Sequence, residues 1–185
     1  SSLDPLYEGP ITISPQSLPY VLRARSFQTG SWPSVVATAF YFTREPRDLP
    51  VVSLVTDPSN LWDEETGIYA FGDSFDNSPP FSGANFWQNW ERPVHVTFWD
   101  TDGTLGFDID AGVSINGGYS RAWEQKSLRL IARGGYGSER MEYPIFGPTN
   151  VAAFERLLLR NSGNDWHGCL KKGCQKGSMF PDAAM

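Results

Sequence analysis

Ala111-Gly112-Val113-Ser114-Ile115-Asn116-Gly117-Gly118-Tyr119-Ser120-Arg121, followed by Glu124-Gln125-Lys126-Ser127-Leu128-Arg129-Leu130, reads as strand, glycine turn, strand. Val113 and Ile115 alternate with small or polar residues, two glycines break the run, and Leu128 and Leu130 resume the alternation. Adjacent glycines allow positive φ and let another molecule approach the main chain. Arg121 and Lys126 place two cations just after the turn. Exposed amides beside cations favour an anion such as phosphate. Two readings stand on these residues alone: an anion cradle, or an ordinary hairpin with surface charges.

Upstream, Pro93–Trp99 reads as a strand, Asp100-Thr101-Asp102-Gly103 as a hairpin turn, and Leu105–Asp110 as the return. Asp100, Asp102, Asp108 and Asp110 invite a calcium reading, but an EF-hand loop needs glycine at its sixth position and Glu at its twelfth. Gly103 falls fourth, at the turn, so the hairpin reading prevails. His95 has no second His or Cys nearby and reads as structural; His167 carries no case for a site. Downstream, Gly134-Gly135-Tyr136-Gly137 is a flexible turn and Tyr143–Phe146 a short extended anchor. From Asn150, the spacing of Val151, Phe154, Leu157 and Leu158 predicts a helix, while Leu157–Ser162 reads equally as a buried strand.

The front of the chain is also β-patterned. Ile11 and Ile13 alternate, Val21–Phe27 reads as a second strand, and Val35–Phe42 as a third, with turns at Gln28–Gly30 and Trp32–Ser34. Arg44–Pro50, polar with two prolines, is a boundary. Val51–Val55 is a strand by its branched residues. Asp57 caps a short helical turn that begins at Pro58, and Gly67-Ile68-Tyr69 opens another extended piece. Residues 72–90 form a loop carrying Phe75, Phe81, Phe86, Trp87 and Trp90; folding down onto the core is favoured over an open recognition surface.

At 185 residues there is room for one domain, or one domain with part of another. A content of 40% hydrophobic and 19% charged residues argues against disorder over most of the chain. The net charge of −6 argues against a general nucleic-acid binder but leaves room for a local basic pocket. No apolar run has the length of a membrane span. Cys169 and Cys174 lack the spacing, and the second pair, of a zinc site.

Two resemblances give these elements a context. Tyr7-Glu8-Gly9-Pro10-Ile11-Thr12-Ile13, Leu22–Phe27, Trp32–Thr38 and Tyr41 resemble the chitobiase/hexosaminidase C-terminal module, an immunoglobulin-like appendage of secreted proteins. The resemblance implies a spacer or binding accessory and an extracellular setting, and no catalytic residue belongs to it. Leu49–Leu54, Asp57–Trp62, Gly67-Ile68-Tyr69, Trp90–Val94, Ala111–Arg121, Gln125–Leu130 and Leu158–Asp165 resemble, in that order, the front half of the CotH kinase family, named for a spore-coat protein. This family is an atypical relative of protein kinases and uses ATP and Mg2+ to phosphorylate protein hydroxyls.

The resemblance implies that Gly117, Gly118 and Ser120 lie over the nucleotide phosphates, with Arg121 or Lys126 pairing with them. Lys126 is then the counterpart of the strand lysine of ordinary kinases; the competing reading has it solvate a strand face. Asn116 stands where many relatives carry histidine, which puts the contacts of the turn in doubt. After Asn161-Ser162-Gly163-Asn164-Asp165-Trp166 the family continues into a half that holds its acidic catalytic and metal-binding residues. Here His167–Met185 is instead basic and glycine-interrupted, and reads as a truncation or altered frame.

The expectation is therefore a mainly β chain with some α (α+β). Residues 1–43 form a partial immunoglobulin-like β-sandwich, 44–49 a linker, 50–166 the front of an atypical kinase-like domain, and 167–185 an atypical tail. The nucleotide-binding residues expected are Gly117, Gly118, Ser120, Arg121 and Lys126, with no catalytic or metal-binding residue in this chain. The partners implied are a protein substrate and a cell-surface or polysaccharide contact, and the setting is extracellular, cell surface or spore coat. The alternative is a non-catalytic carbohydrate- or surface-binding module using Trp62, Trp87 and Trp90. A glycosidase is disfavoured, because no carboxylate pair can be assigned to acid and base.

Overall fold

The computed structural model describes residues 5–42, 48–147 and 151–161. Its strands are β1 (Tyr20–Ala24), β2 (Ala37–Tyr41), β3 (Val51–Val55), β4 (Arg92–Trp99), β5 (Leu105–Asn116), β6 (Ser127–Ile131), β7 (Met141–Glu142), β8 (Ala153–Phe154) and β9 (Arg156–Leu159), with one short helix, α1 (Pro58–Trp62). The protein is mainly β with little helix. The tail 167–185, and most of the expected linker, lie outside the described residues.

Five strands make one antiparallel sheet in the order β3-β4-β5-β6-β9. Its spine is β5, whose first part pairs with β4 and whose last part pairs with β6. The two partners overlap only at Gly112 and Val113, opposite Pro93 and Arg92 on one side and Ile131 and Leu130 on the other. The β4–β5 hairpin turns at Asp100–Gly103, where Gly103 takes φ +82° and donates to the Asp100 carbonyl. A register shift between Phe98 and Trp99 accommodates the turn.

Strand alternation sorts the sheet into two faces. Val94, Val96 and Phe98 of β4 meet Phe107, Ala111, Val113 and Ile115 of β5 and Leu130 of β6 in one core. The aromatic loop and the turn before it close that core: Ile68 of the turn and Ala84 and Phe86 of the loop are fully buried, and Phe75, Phe81, Trp87 and Trp90 pack against it. The opposite face carries His95, whose Nδ1 lies 2.8 Å from Asp110 and whose Nε2 lies 2.9 Å from Asp108 across the β4–β5 pair. This is the structural role expected of His95. The turn carboxylates are also engaged: Asp100 accepts from the Tyr143 hydroxyl and Asp102 from the Thr104 amide.

Four expectations are corrected. The helix expected from the spacing of Val151, Phe154, Leu157 and Leu158 does not form, and the strand reading holds over Leu157–Leu159: Ala153–Phe154 and Arg156–Leu159 are strands, because Leu157 and Leu159 pair with Leu130 and Leu128 of β6 and turn toward the core; tertiary pairing overrides helical spacing. The expected helix start at Asn150 lies outside the described residues. Gly67-Ile68-Tyr69 is a turn rather than an extended piece. Asp63 Oδ1 accepts from the Glu65 and Thr66 amides, and the Ile68 and Tyr69 amides donate back to Asn60 and Leu61. A Cβ on Gly67 would lie 2.6 Å from backbone atoms of Asp63 and Leu61, so only glycine permits the doubling back. Tyr143–Phe146 is a turn closed by Ile145 and Gly147 amides on Tyr143 and Pro144. Finally, Ile11 and Ile13 lie outside any strand, so the front segment is a two-stranded β1–β2 sheet. Its Phe40 and Phe42 pack against Trp99, tilted and edge-on, at ring distances of 5.4 and 4.5 Å.

Candidate functional site

The glycine turn between β5 and β6 borders a cleft of about 200 Å³. Gly117, Gly118 and Ser120 form one wall, and Leu158, Arg160 and Asn161 at the end of β9 form the other. Asn116 and Ser127, paired across the β5–β6 ladder, complete the lining. Gly117 takes φ +118°, and a Cβ there would lie 2.5 Å from Ser120 Oγ, which is the conformational demand that selects glycine. Gly118 has open space around its Cα. A short 3-10 turn, Tyr119–Ala122, follows, closed by the Arg121 amide on the Gly118 carbonyl.

Arg121 folds back under this bend. Its Nε donates to the Gly117 carbonyl at 2.6 Å, and its Nη1 to the Phe86 carbonyl at 2.9 Å. Burial, and secondarily the charge of Arg129, lower its pKa. Lys126 is buried, and its Nζ donates to the Arg121 and Trp123 carbonyls at 2.7 and 2.9 Å. The ammonium lies 4.0 Å from the Phe86 ring centre and 5.6 Å from that of Tyr69. Burial pulls its pKa down to about 8.

Strand alternation then separates Lys126 from the cleft. Leu128 and Leu130 face the core with Phe86, and Lys126 reaches the same side. Ser127, the neighbouring residue, faces the cleft. Thus Gly117, Gly118 and Ser120 come together at the cleft, whereas Arg121 and Lys126 are among the residues that hold the bend from beneath.

Sequence reasoning assigned no role to Arg160 and Asn161. Asn161 Nδ2 donates to the Gln125 carbonyl at 2.6 Å, its Oδ1 accepts from Ser127 Oγ at 2.9 Å, and its backbone amide donates to Ser127 Oγ at 3.1 Å. These bonds tie the end of β9 to the start of β6. The signal lay in the alternation of Leu157 and Leu159 against Leu158 and Arg160, which the strand reading of Leu157–Ser162 already contained.

Comparisons with protein-family models, curated proteins and solved structures return no match. The assignment of this cleft therefore rests on its own chemistry. Among the described residues, no group of three or more His, Cys, Asp or Glu side chains is arranged to hold a metal ion, and no helix is long and apolar enough to cross a membrane.

Proposed function

We propose that the cleft beside Gly117 and Gly118 takes the phosphate chain of a nucleotide such as ATP. On this reading the chain is the nucleotide-binding portion of an atypical protein kinase of the CotH kind. Its parent enzyme would phosphorylate Ser or Thr of surface or spore-coat proteins outside the cell. The observation that carries the reading is the open main chain of the glycine bend, standing over a cleft at the end of the central hairpin of an antiparallel sheet. Kinase-type phosphoryl transfer depends on positioning phosphates under such a glycine-rich turn.

The cleft fits part of the nucleotide. Whole-ligand pockets occupy roughly 300–1,000 Å³, so about 200 Å³ suits the phosphates, with the base and ribose lying outside. Among the described residues that line the cleft there is no carboxylate, and no described residue is assigned to hold Mg2+. Phosphoryl transfer by this chain alone is expected to be negligible. Calorimetric titration of ATP into the 185-residue chain tests the reading: saturable binding supports it, and no heat of binding up to millimolar nucleotide removes it.

A second reading, an extracellular carbohydrate-binding module, is favoured by Trp32 and Trp62, which are 94% and 61% exposed. Flat exposed rings stack on sugars. Trp87 and Trp90 contribute less, since both pack against the core and Trp87 Nε1 donates to the Pro80 carbonyl. A pull-down on insoluble chitin or cellulose separates the two readings.

A further inference from the structure

We propose that Asn116 is a site of spontaneous deamidation, at which the chain turns a neutral wall of the cleft into a carboxylate. The modification stands apart from the phosphate reading; only its effect on anion binding rests on that reading.

Two pairs among the described residues place an Asn or Asp directly before a glycine, Asp102-Gly103 and Asn116-Gly117. Ring closure from such a side chain onto the next backbone nitrogen needs both groups unengaged, and glycine, with no Cβ, shields that nitrogen least. At Asp102-Gly103 both ends are held. The Gly103 amide donates to the Asp100 carbonyl at 2.9 Å, and Asp102 Oδ1 accepts from the Thr104 amide at 2.8 Å. At Asn116-Gly117, among the described residues, no acceptor takes the Gly117 amide and no partner holds the Asn116 side chain. Other described asparagines lack this combination. Asn60, Asn85 and Asn161 are tied by their side-chain amides, the amide after Asn77 donates to Asp76 Oδ1, and Asn89 precedes the bulky Trp90.

The bend and the cleft supply the rest. Gly117 takes φ +118° directly after the last paired residue of β5, so the chain leaves the ladder at the bond where the ring would close. Asn116 is half-buried and lines the cleft, whose volume of about 200 Å³ admits the water that the second step consumes. In the first step the Gly117 nitrogen attacks Asn116 Cγ, and the side-chain nitrogen leaves as ammonia with the proton the amide gives up. Water then opens the resulting succinimide at either carbonyl. The product is aspartate, or isoaspartate with the backbone routed through the side chain. Its negative charge stands beside Gly117, Gly118 and Ser120, where it repels a phosphate.

The experiment incubates the folded 185-residue chain at pH 7.5 and pH 9, with a free peptide of residues 113–120 as the timing standard. Conversion is followed by peptide mass mapping and isoaspartate-specific methylation. The expected result is conversion at Asn116 ahead of Asn77 and Asp102, faster at pH 9, and lost in Asn116→Gln; Asp102 isomerises only once urea unfolds the chain. Asn116 left intact when the peptide has fully converted, or converting no faster than Asn77, overturns the inference. Tripolyphosphate is then titrated into the parent, into Asn116→Asp with a thermal melt, and into the deamidated fraction of the parent separated by ion exchange. A loss of at least about tenfold in the charged forms is expected. Equal affinity overturns the effect on binding, and conversion without anion binding by the parent removes the phosphate reading alone.

Discussion

The Lys126 ammonium stands 4.0 Å from the centre of the Phe86 ring and donates to the carbonyls of Arg121 and Trp123, on the face of the sheet away from the glycine cleft. A lysine so placed caps the end of the Tyr119–Ala122 turn and fixes the path of the bend. Its cost is the burial of a charge, seen in a pKa of about 8 against 10.5.

That depressed pKa sets a pH window. Below pH 8 the lysine is protonated in both folded and unfolded chains, and the burial penalty acts in full. Between about 8 and 10.5 the unfolded state binds more protons than the folded one, so stability rises with pH across this window. Urea titrations at pH 7.5, 9 and 10 check it. The parent is expected to gain stability relative to Lys126→Met as pH rises, and parallel pH profiles for the two would refute the assignment.

The two glycines of the bend make different demands. Gly117→Ala forces a side chain to φ +118° against Ser120 Oγ, with an expected loss of about 1–3 kcal/mol. Gly118→Ala meets open space and is expected to cost less than Gly117→Ala. Equal losses in chemical denaturation of the two variants would show that the bend is shaped otherwise.

Asn161 and Ser127 act as one unit. Ser127 is buried, and its hydroxyl both donates to Asn161 Oδ1 and accepts from the Asn161 amide. Asn161→Ala is expected to cost about 1–3 kcal/mol, since the partner hydroxyl loses its acceptor. In a double-mutant cycle with Ser127→Ala, the coupling is expected to reach at least about 0.5 kcal/mol. Additive losses would mean that β9 is held by its ladder alone.

Much of the sheet was legible from alternation, because β4, β5 and β6 each bury one face and keep the other polar. The short helix at Pro58 was legible from its cap, and the Asp57 side chain does accept from the Ser59 amide. What stayed hidden depended on distant partners. Ile68 lies in a turn because Asp63 and Gly67 fold the chain back, and only the edge offered by β6 decides for the strand over the helix between Leu157 and Leu159. The cleft was half legible: Gly117 and Gly118 announce a bend, but only the register of β6 shows that Ser127 faces it and Lys126 does not. The two β-branched residues Ile11 and Ile13 alternate without forming a strand, since alternation alone supplies no pairing partner.

Gly112 offers the last test, at the one place where both partners of β5 overlap. A Cβ there would lie 2.4 to 2.8 Å from the Glu91 side chain. Glu91 in turn accepts from Arg133 Nη2 at 2.7 Å and from the Tyr136 hydroxyl at 3.0 Å, linking the start of β4 to the turn after β6. Burial, together with the Glu91 hydrogen bond, raises the Tyr136 pKa. Gly112→Ala is expected to push Glu91 off both partners, to cost about 1–3 kcal/mol, and to return Tyr136 toward its ordinary titration range. Ultraviolet titration of tyrosine ionisation, compared between the parent and the variant with a Tyr136→Phe control, reads the second effect. A Tyr136 titration unchanged by the added methyl would show that Glu91 does not depend on the space left at Gly112.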